Sequence, residues 1–529
     1  MGQARAIARR ALAESRIRDG CFALFFLLFA YANPVGYRHT YPTLAERVAF
    51  ARSFGTNKAV ELFYGAPHDL LSVGGFTAWR FGGFTAIIAG IWGLLAAVRA
   101  LRGEEDAGRQ ELVLAGVVSR RSAYLSVLAG LFAATTLLAL AIFVGLVAAP
   151  LAAGESALLA LATISPAIVF IGVGALTSQL APTRRGALEL ATAVLAGCFL
   201  LRVVADIGSG LGWLRWATPF GWSEELRAFA DPRPAVLLLP LLMTVLLLSA
   251  AGAIAARRDV GSGLLQGRDS TDADLRLLSS PTALAVRLSR GSMLAWLTGI
   301  GVFAGVVGVL STSFTTADIS ANLRKQLEKL SGANITTPAG ALGFYFLLFV
   351  LVISLFACAQ LAAVRREEAD QQLETLFAQP VGRRRWLVQR LALAAAGAAA
   401  LALATAILAW AGAASQNAHV SLPHLVEAGL NCLPTALLFL GLATLAFALV
   451  PRASTGLSYG LVTLAFVWEL FGSLLGAPHW TLNLTPFQHI GLVPAQPFRA
   501  AAAVTMLAIA AAAASVGVYG FARRDLNGS

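Results

Sequence analysis

Charged residues are scarce in this sequence: Asp, Glu, Lys and Arg make up 13% of its 529 residues. Soluble domains carry about 25%, so most of this chain is not expected to face water, in agreement with its mean hydropathy of +0.72. The long runs of Ala, Leu and Val lack the two-residue alternation of membrane β-strands. Because lipid offers no partner for free backbone polar groups, the composition predicts an all-α polytopic membrane protein.

Motifs of catalysis and redox chemistry are also lacking. The four cysteines fall in apolar segments and form no CxxC pair, which argues against a metal or redox site. No GxxxxGK[ST] loop occurs, so the chain is not expected to bind the phosphates of ATP itself. Five arginines precede the first apolar segment, and no convincing cleavage site follows it. That segment is therefore interpreted as a permanent span rather than a signal peptide.

Twelve apolar segments are long enough to cross a bilayer, which takes about 20 residues of helix. Roughly two thirds of the 40 Lys and Arg residues fall on the side that carries the N-terminus, and positive charge accumulates on the cytoplasmic side. Both termini are thus predicted to be cytoplasmic, in the plasma membrane. The net charge of +12 suits anionic lipid rather than nucleic acid. The predicted spans are 20–37, 81–100, 123–150, 157–181, 187–206, 235–256, 292–311, 340–364, 386–413, 425–450, 455–475 and 500–521.

A charged cassette occurs twice. The stretch "RGEEDAGRQELVLAGVVSRRSA" at 102–123 aligns without a gap with "RREEADQQLETLFAQPVGRRRW" at 365–386. Three further motifs repeat in the same order, namely "LAPTRR" with "LVPRAS", "ATPFGW" with "LTPFQH", and "AARRDV" with "FARRDL". The chain is therefore predicted to consist of two tandem six-helix halves, 1–259 and 285–529. A polar linker at 260–284 is predicted to join them.

Within the second cassette, residues 367–379 have the spacing of a short amphipathic helix. Leu373, Leu376 and Phe377 share one face. The three glutamates of the segment are placed in its first turns, where the helix dipole favours acids. Pro380 is expected to end the helix.

Ser119 and Gly382 are expected to cap the spans that follow the cassettes. A single charged loop of this kind is as well explained by solvation of a turn. Two copies at matched positions instead favour docking of a paired soluble partner. The predicted docking residues are Glu104, Glu105, Glu111, Arg120, Arg121, Glu367, Glu368, Glu374, Phe377, Arg383 and Arg384.

The cassette pattern, with "LVPAQPFRA" before the last span and "FARRDL" after it, resembles type-2 ATP-binding-cassette exporter permeases. It is similar in particular to the polyketide-antibiotic (tetronasin-type) and multidrug exporter permeases of actinobacteria. The likeness covers nearly the whole chain. It implies a transport subunit rather than an enzyme. Two copies of a separate ATPase, which bind ATP and Mg²⁺, would dock on coupling helices near 103–122 and 366–385. Val117 replaces Pro380 in the first cassette, so equal affinity of the two docking sites is not expected.

The resemblance also implies re-entrant helices at 206–234 and 476–498, which would close the outer end of the pathway. Aromatic residues there are equally typical of an interfacial belt. Charges inside spans cost about 2.5–3.5 kcal/mol, so Arg202 and Glu469, at corresponding positions of the two halves, are hypothesised to pair. Snorkelling of each to the headgroups is the alternative. The gate and pathway candidates are Arg202, Trp216, Phe220, Glu469 and Phe487.

Two other classes of function remain open. A twelve-span ion-coupled secondary transporter also has two six-span halves, but mid-span carboxylates are nearly absent here. A membrane-embedded enzyme, such as a lipid-linked glycosyltransferase, would need paired metal-binding carboxylates. Glu46, Glu61 and Asp69 in the first outer loop are too dispersed for that. The cavity expected between the two halves would be lined by Leu, Val, Phe and small residues. Such an apolar lining favours hydrophobic or amphipathic drugs as substrates.

Overall fold

A computed structural model describes residues 2–55, 61, 64–108, 111, 119–207, 210–258, 263–265, 280–312, 337–471 and 478–525. Within these ranges the chain forms helices and turns and no strand, which confirms the predicted all-α class. The chain divides into two compact units, Met1–Thr271 with Asp318–Ser320, and Asp272–Ala317 with Ala321–Ser529. Most of the predicted linker lies outside the described residues.

In the part of the first unit that the structure describes there are six long α-helices and two short ones. A π-helical turn interrupts the second long helix at Ala78–Gly82, and another does so at Arg99–Gly103. The helices are α1 Gly2–Thr40, α2 Leu44–Phe54, α3 Val73–Asp106, α4 Arg120–Ala148, α5 Ala153–Leu180, α6 Arg184–Ile207, α7 Pro219–Glu225 and α8 Pro234–Arg257.

The second unit repeats this order with small differences. Its fourth span is broken into two helices between Leu430 and Leu433. The helices are α9 Pro281–Leu310, α10 Pro338–Ala369, α11 Gln372–Phe377, α12 Arg383–Ser415, α13 Leu422–Leu430, α14 Leu433–Leu449, α15 Ser454–Phe471, α16 His479–Leu482 and α17 Ala500–Arg523.

Each of the twelve predicted spans overlaps a helix of one of the two units. Among the described residues, eleven helical stretches are long and apolar enough to cross a membrane. The exception is α15, the predicted eleventh span. It has 18 residues, and its predicted continuation to residue 475 lies outside the described part of the chain.

The helices of both units pack in the same way. The first long helix lies along the third, the second along the fourth, and the fourth along the sixth. Gly145 of α4 touches the backbone of α1 so closely that a Cβ there would collide with the Leu27 carbonyl oxygen. Gly412 of α12 stands in the same relation to Gly305 of α9. Small residues at these points allow close approach of membrane helices.

Candidate functional site

The short helix of the second cassette begins later than predicted. Helix α10 continues through Glu367 and Glu368, so these residues lie in its last turn and not in the first turns of the short helix. Gln371 adopts a left-handed conformation with φ of 58°, and this interrupts the helix. Helix α11 follows directly, has Glu374 in its first turn and ends before Pro380. The prediction was wrong about the start because a left-handed non-glycine residue has no clear sequence signal.

The apolar face of α11 packs inward, as its spacing predicted. Leu373 is buried, and Leu376 and Phe377 are half-buried against the cluster that contains Trp386 and Phe521. The Phe377 ring lies 5.5 Å from that of Trp386, edge to face. Phe377 therefore contributes to the core of its own unit, and the opposite face of α11 is exposed.

The structure confirms the two predicted caps of the spans that follow the cassettes. Ser119 is the N-cap of α4, where its hydroxyl accepts a hydrogen bond from the Ser122 N–H at 3.2 Å. Gly382 is the N-cap of α12. The middle of the first cassette, residues 112–118, lies outside the described residues.

The last helix of the second unit holds the second cassette at both ends. Arg524, the C-cap residue of α17, donates two hydrogen bonds to Glu368, with Nη1–Oε1 and Nη2–Oε2 distances of 2.6 and 2.8 Å. Glu368 is 2% exposed and also pairs with Arg365 at 3.3 Å. On the other side of α11, Arg383 Nη1 donates to the backbone oxygen of Arg524 at 2.9 Å. A single residue thus binds the chain before and after the short helix.

The first unit has the same arrangement. Arg258, the C-cap residue of α8, donates to both carboxylate oxygens of Glu105 at 2.7 and 2.5 Å. Arg102 pairs with Glu105 at 3.3 Å, and Arg120 Nη1 donates to the Arg258 backbone oxygen at 2.9 Å. These are the aligned positions of the two cassettes and of the two "ARRD" motifs. We call each set of contacts a clasp.

Both clasps also reach the last turn of the fourth helix of their unit. Arg258 Nε donates to Gln179 Oε1 at 2.7 Å. The guanidinium of Arg524 lies 4.9 Å from the centre of the Phe447 ring. Sequence reasoning found the "ARRD" repeat but missed the role of Arg258 and Arg524. Their repeated spacing from the cassettes was the available signal.

Two of the predicted docking residues are therefore internal. Glu105 and Glu368 are buried in the clasps, so their carboxylates are not presented to a partner, in contrast to the expectation from sequence. Glu104, Glu367 and Arg383 are partly buried, and Glu367 forms an ion pair with Arg390. The predicted docking residues that are exposed are Glu111, Arg120, Arg121, Glu374 and Arg384.

The repeated Thr-Pro-Phe motif begins a short helix at the other end of each unit. Thr218 accepts a hydrogen bond from the Gly221 N–H at 3.0 Å, and Thr485 accepts one from the Gln488 N–H at 3.4 Å. The phenylalanines of the two motifs, Phe220 and Phe487, are each 2% exposed and anchor the segments in their bundles. The third aromatic gate candidate, Trp216, is 45% exposed.

Arg202 and Glu469 each have partners in their own unit. Arg202 is 1% exposed, with Nε 2.8 Å from Asp206 Oδ2 and Nη2 2.6 Å from Glu224 Oε1. Glu469 accepts a hydrogen bond from the Thr485 hydroxyl at 2.6 Å. Arg202 thus has carboxylate partners without Glu469, and the predicted pairing of Arg202 with Glu469 stays a prediction.

Burial is the main cause of the pKa shifts of two side chains in the first unit, Glu224 in α7 and His68 before α3. It raises the pKa of Glu224 to about 7, a further increase comes from Asp206, and the positive charge of Arg202 acts in the opposite direction. Burial also lowers the pKa of His68, and the positive charge of Arg227 adds to that effect. Near neutral pH, Glu224 is therefore expected to exchange a proton, whereas the lowered pKa of His68 keeps its imidazole neutral.

Two repeated bundles of membrane-length helices, each with a clasp at one end and a short helix beginning at a Thr-Pro-Phe motif at the other, are the architecture of a polytopic α-helical permease. The chain belongs to the family described as "Multidrug efflux system permease Rv1217c, C-terminal domain", whose model matches residues 49–257 and 278–522. It is 33% identical over 490 residues to the "Multidrug efflux system permease protein Rv1217c" of Mycobacterium tuberculosis. That alignment covers 92% of this chain and 88% of the relative.

Proposed function

We propose that this chain is the membrane-spanning subunit of an ATP-driven exporter of hydrophobic or amphipathic drugs. The observation that carries the proposal is the duplicated cassette, which each unit fixes at the same end of its bundle by the same contacts. Two matched, anchored segments suit two copies of one partner. The name of the M. tuberculosis relative supports efflux of drugs.

The partner in this proposal is a separate ATP-binding-cassette ATPase, of which two copies bind on the cytoplasmic side and hold ATP and Mg²⁺. The exposed charges around each cassette would form charge-assisted pairs with it at the rim of the interface. Glu374 and Arg384 are the best placed in the second unit, because both are exposed and flank the anchored Leu373 and Phe377. This assignment makes the permease one of the type-2 class, with cytoplasmic termini in the plasma membrane.

The transport step would couple the two ends of each bundle. Closure of the ATPase dimer displaces the cassettes, and the halves rock to open the outer end. The short helices that begin at Thr218 and Thr485 would close that end between cycles. Their anchoring phenylalanines, Phe220 and Phe487, fix each segment to its own bundle.

The test is purification of the chain alone and together with a candidate P-loop subunit. We expect ATP turnover only when both are present. Charge reversal by Glu374→Arg or Arg384→Glu should weaken the complex at least tenfold, as measured by co-purification and titration. Glu427→Arg is the matched control, since Glu427 is exposed in α13, at the opposite end of the same unit.

ATP hydrolysis by the isolated chain would contradict the proposal, as would a complex that both reversals leave unchanged. Uptake or export that follows a proton gradient without any P-loop subunit would instead favour the ion-coupled transporter.

A further inference from the structure

The last helix of each unit is bound at both of its ends. At the end opposite the clasp, Arg499, the N-cap residue of α17, donates from Nη1 to the backbone oxygen of Gln488 at 3.2 Å. Gln488 belongs to residues 478–498, which together with residues 210–233 of the first unit we call the re-entrant segments, after the role that the proposed function gives them. Arg233 directly precedes α8, and its backbone N–H donates to the Leu226 oxygen at 3.0 Å. Its Nη1 lies 3.4 Å from Glu225 Oε2 in the re-entrant segment of the first unit.

Helix α17 consequently connects the second cassette to the second re-entrant segment without any intervening element. It has 24 residues, which at 1.5 Å per residue is about 36 Å of continuous helix. In the first unit, α8 also has 24 residues, of which the first four, Pro234–Leu237, form a 3-10 turn. A helix held by side chains at both ends transmits displacement along its axis, because its hydrogen bonds resist stretching.

The hydrogen bonds of the clasp are better suited to transmitting a displacement of the cassette than to stabilising the fold. Two parallel charge-assisted bonds fix both distance and orientation. A buried ion pair often contributes no more to stability than an apolar pair of the same size would. A buried ion pair is nevertheless present in both units, at Glu105–Arg258 and Glu368–Arg524. We therefore infer that the pair serves to fix the position of the cassette relative to the last helix. The second bond, from Arg120 or Arg383, prevents the cassette from moving at one end alone.

We propose that α8 and α17 are the mechanical links of the transport cycle, each carrying the displacement of its cassette to the re-entrant segment of the same unit. This inference rests on the proposed function, which supplies the displacement. Arg258 and Arg524 are the positioning residues at the clasp end, and Arg233 and Arg499 are those at the re-entrant end. None of the four needs to contact drug or ATP.

The first experiment needs only the chain, reconstituted in lipid nanodiscs, and measures hydrogen exchange of the amides in 485–490. Glu368→Gln keeps the shape of the side chain and removes its charge, and Arg524→Gln removes the partner. Both should raise exchange in 485–490 at least fivefold, although the substitutions lie at the other end of α17. Arg523→Gln is the control, since Arg523 stacks on Tyr519 at 4.0 Å and lies next to the clasp.

Arg383→Gln provides a milder variant in case the buried substitutions prevent folding. It removes the bond to the Arg524 backbone and leaves the Glu368–Arg524 pair intact, and a two- to threefold rise in exchange is expected. If exchange in 485–490 is the same in the parent and in all folded clasp variants, α17 does not link the two ends and the inference is wrong.

The second experiment uses the complex with the ATPase. Trp480, which is 69% exposed in α16, is replaced by cysteine in a background without the four native cysteines. Thiol labelling is then compared with and without ATP and vanadate. The labelling rate should change at least fivefold in the parent, and Glu368→Gln should abolish the change while ATP hydrolysis continues.

A retained change in the Glu368→Gln complex would overturn the inference and leave the proposed function intact. If the parent chain forms no complex with an ATPase, the proposed function fails instead. The exchange measurement then still decides whether the cassette and the re-entrant segment are mechanically connected.

Discussion

Arg202 and Asp206 form an ion pair one turn apart on α6, with Nε 2.8 Å from Oδ2 and with side chains 1% and 0% exposed. Arg185 and Glu189 form a pair on the same helix with the same spacing and the same 2.8 Å distance, but with side chains 66% and 64% exposed. The two pairs share spacing and distance but differ in burial, and Arg202 and Asp206 each have a second charged partner, Glu224 and Arg215. They allow the cost of breaking a pair to be compared within one helix.

Arg202→Met should lower the free energy of unfolding by about 3–5 kcal/mol, because it removes the ion-pair partner of Glu224 and leaves the buried Asp206 with Arg215 alone. Arg185→Met should cost less than about 1 kcal/mol, since water already screens that pair. Denaturant unfolding of both variants in the same detergent measures the difference. Equal losses would show that Arg202 is solvated in the native protein.

The stability of the protein should fall between pH 5 and pH 8 through Glu224. Its pKa is raised from the ordinary value of 4.5 to about 7 in the folded chain. The stability associated with the protonated carboxyl group is therefore fully present below about pH 4.5 and lost as the pH rises through 7.

The measurement is the difference in unfolding free energy between wild type and Glu224→Gln, which carries no titratable group at this position. On the order of 2 kcal/mol of that difference should disappear between pH 5 and pH 8, since one unit of pKa shift is worth about 1.4 kcal/mol. A difference that is constant over this range, or that grows with pH, would contradict the assignment.

The close approach of α4 to α1 should make Gly145 intolerant of even one methyl group. Gly145→Ala places a Cβ against the Leu27 carbonyl oxygen and should destabilise the chain by about 1–3 kcal/mol through overpacking. At Gly197 of α6, by contrast, no atom lies within 4 Å of the point that a Cβ would occupy. Gly197→Ala should therefore be neutral or stabilising by up to about 1 kcal/mol. Thermal unfolding of the two variants checks the prediction, and similar melting temperatures would refute it.

Thr485 should tolerate serine and not valine. Its hydroxyl donates to Glu469 and accepts from the Gln488 N–H, and serine keeps both bonds. Valine has the same shape but leaves both partners unpaired, so we expect a loss of about 1–3 kcal/mol in unfolding free energy. Comparison of the two variants by thermal unfolding isolates the hydroxyl. If serine is as damaging as valine, the methyl group and its packing matter instead.

Sequence reasoning succeeded where a single run of residues determines the outcome. The spans follow from apolar length, and the Ser119 and Gly382 caps follow from local chemistry. The partners of Glu105 and Glu368 lie 153 and 156 residues away, and no local pattern connects them. Charged residues normally lie at the surface, so the sequence alone predicts an exposed position for both glutamates.

Arg202 shows a different limit of sequence reasoning. Its partner Asp206 lies four residues further along α6, at the ordinary spacing for a helical ion pair. The repeat instead predicts a pairing with Glu469, which occupies the corresponding position in the other half. The contact of Arg202 with its second partner, Glu224, depends on the path of the chain after α6, and composition does not determine that path.

The clasp of the first unit uses only residues up to Arg258. Proteins of this size generally fold domain by domain during synthesis, beginning at the N-terminus. The clasp of the first unit can therefore form while the ribosome is still synthesising the second unit. A chain cut between Arg258 and Ser280 should accordingly yield two fragments that each insert and close independently. The two repeated units are in this sense predicted to fold as separate modules of one polypeptide.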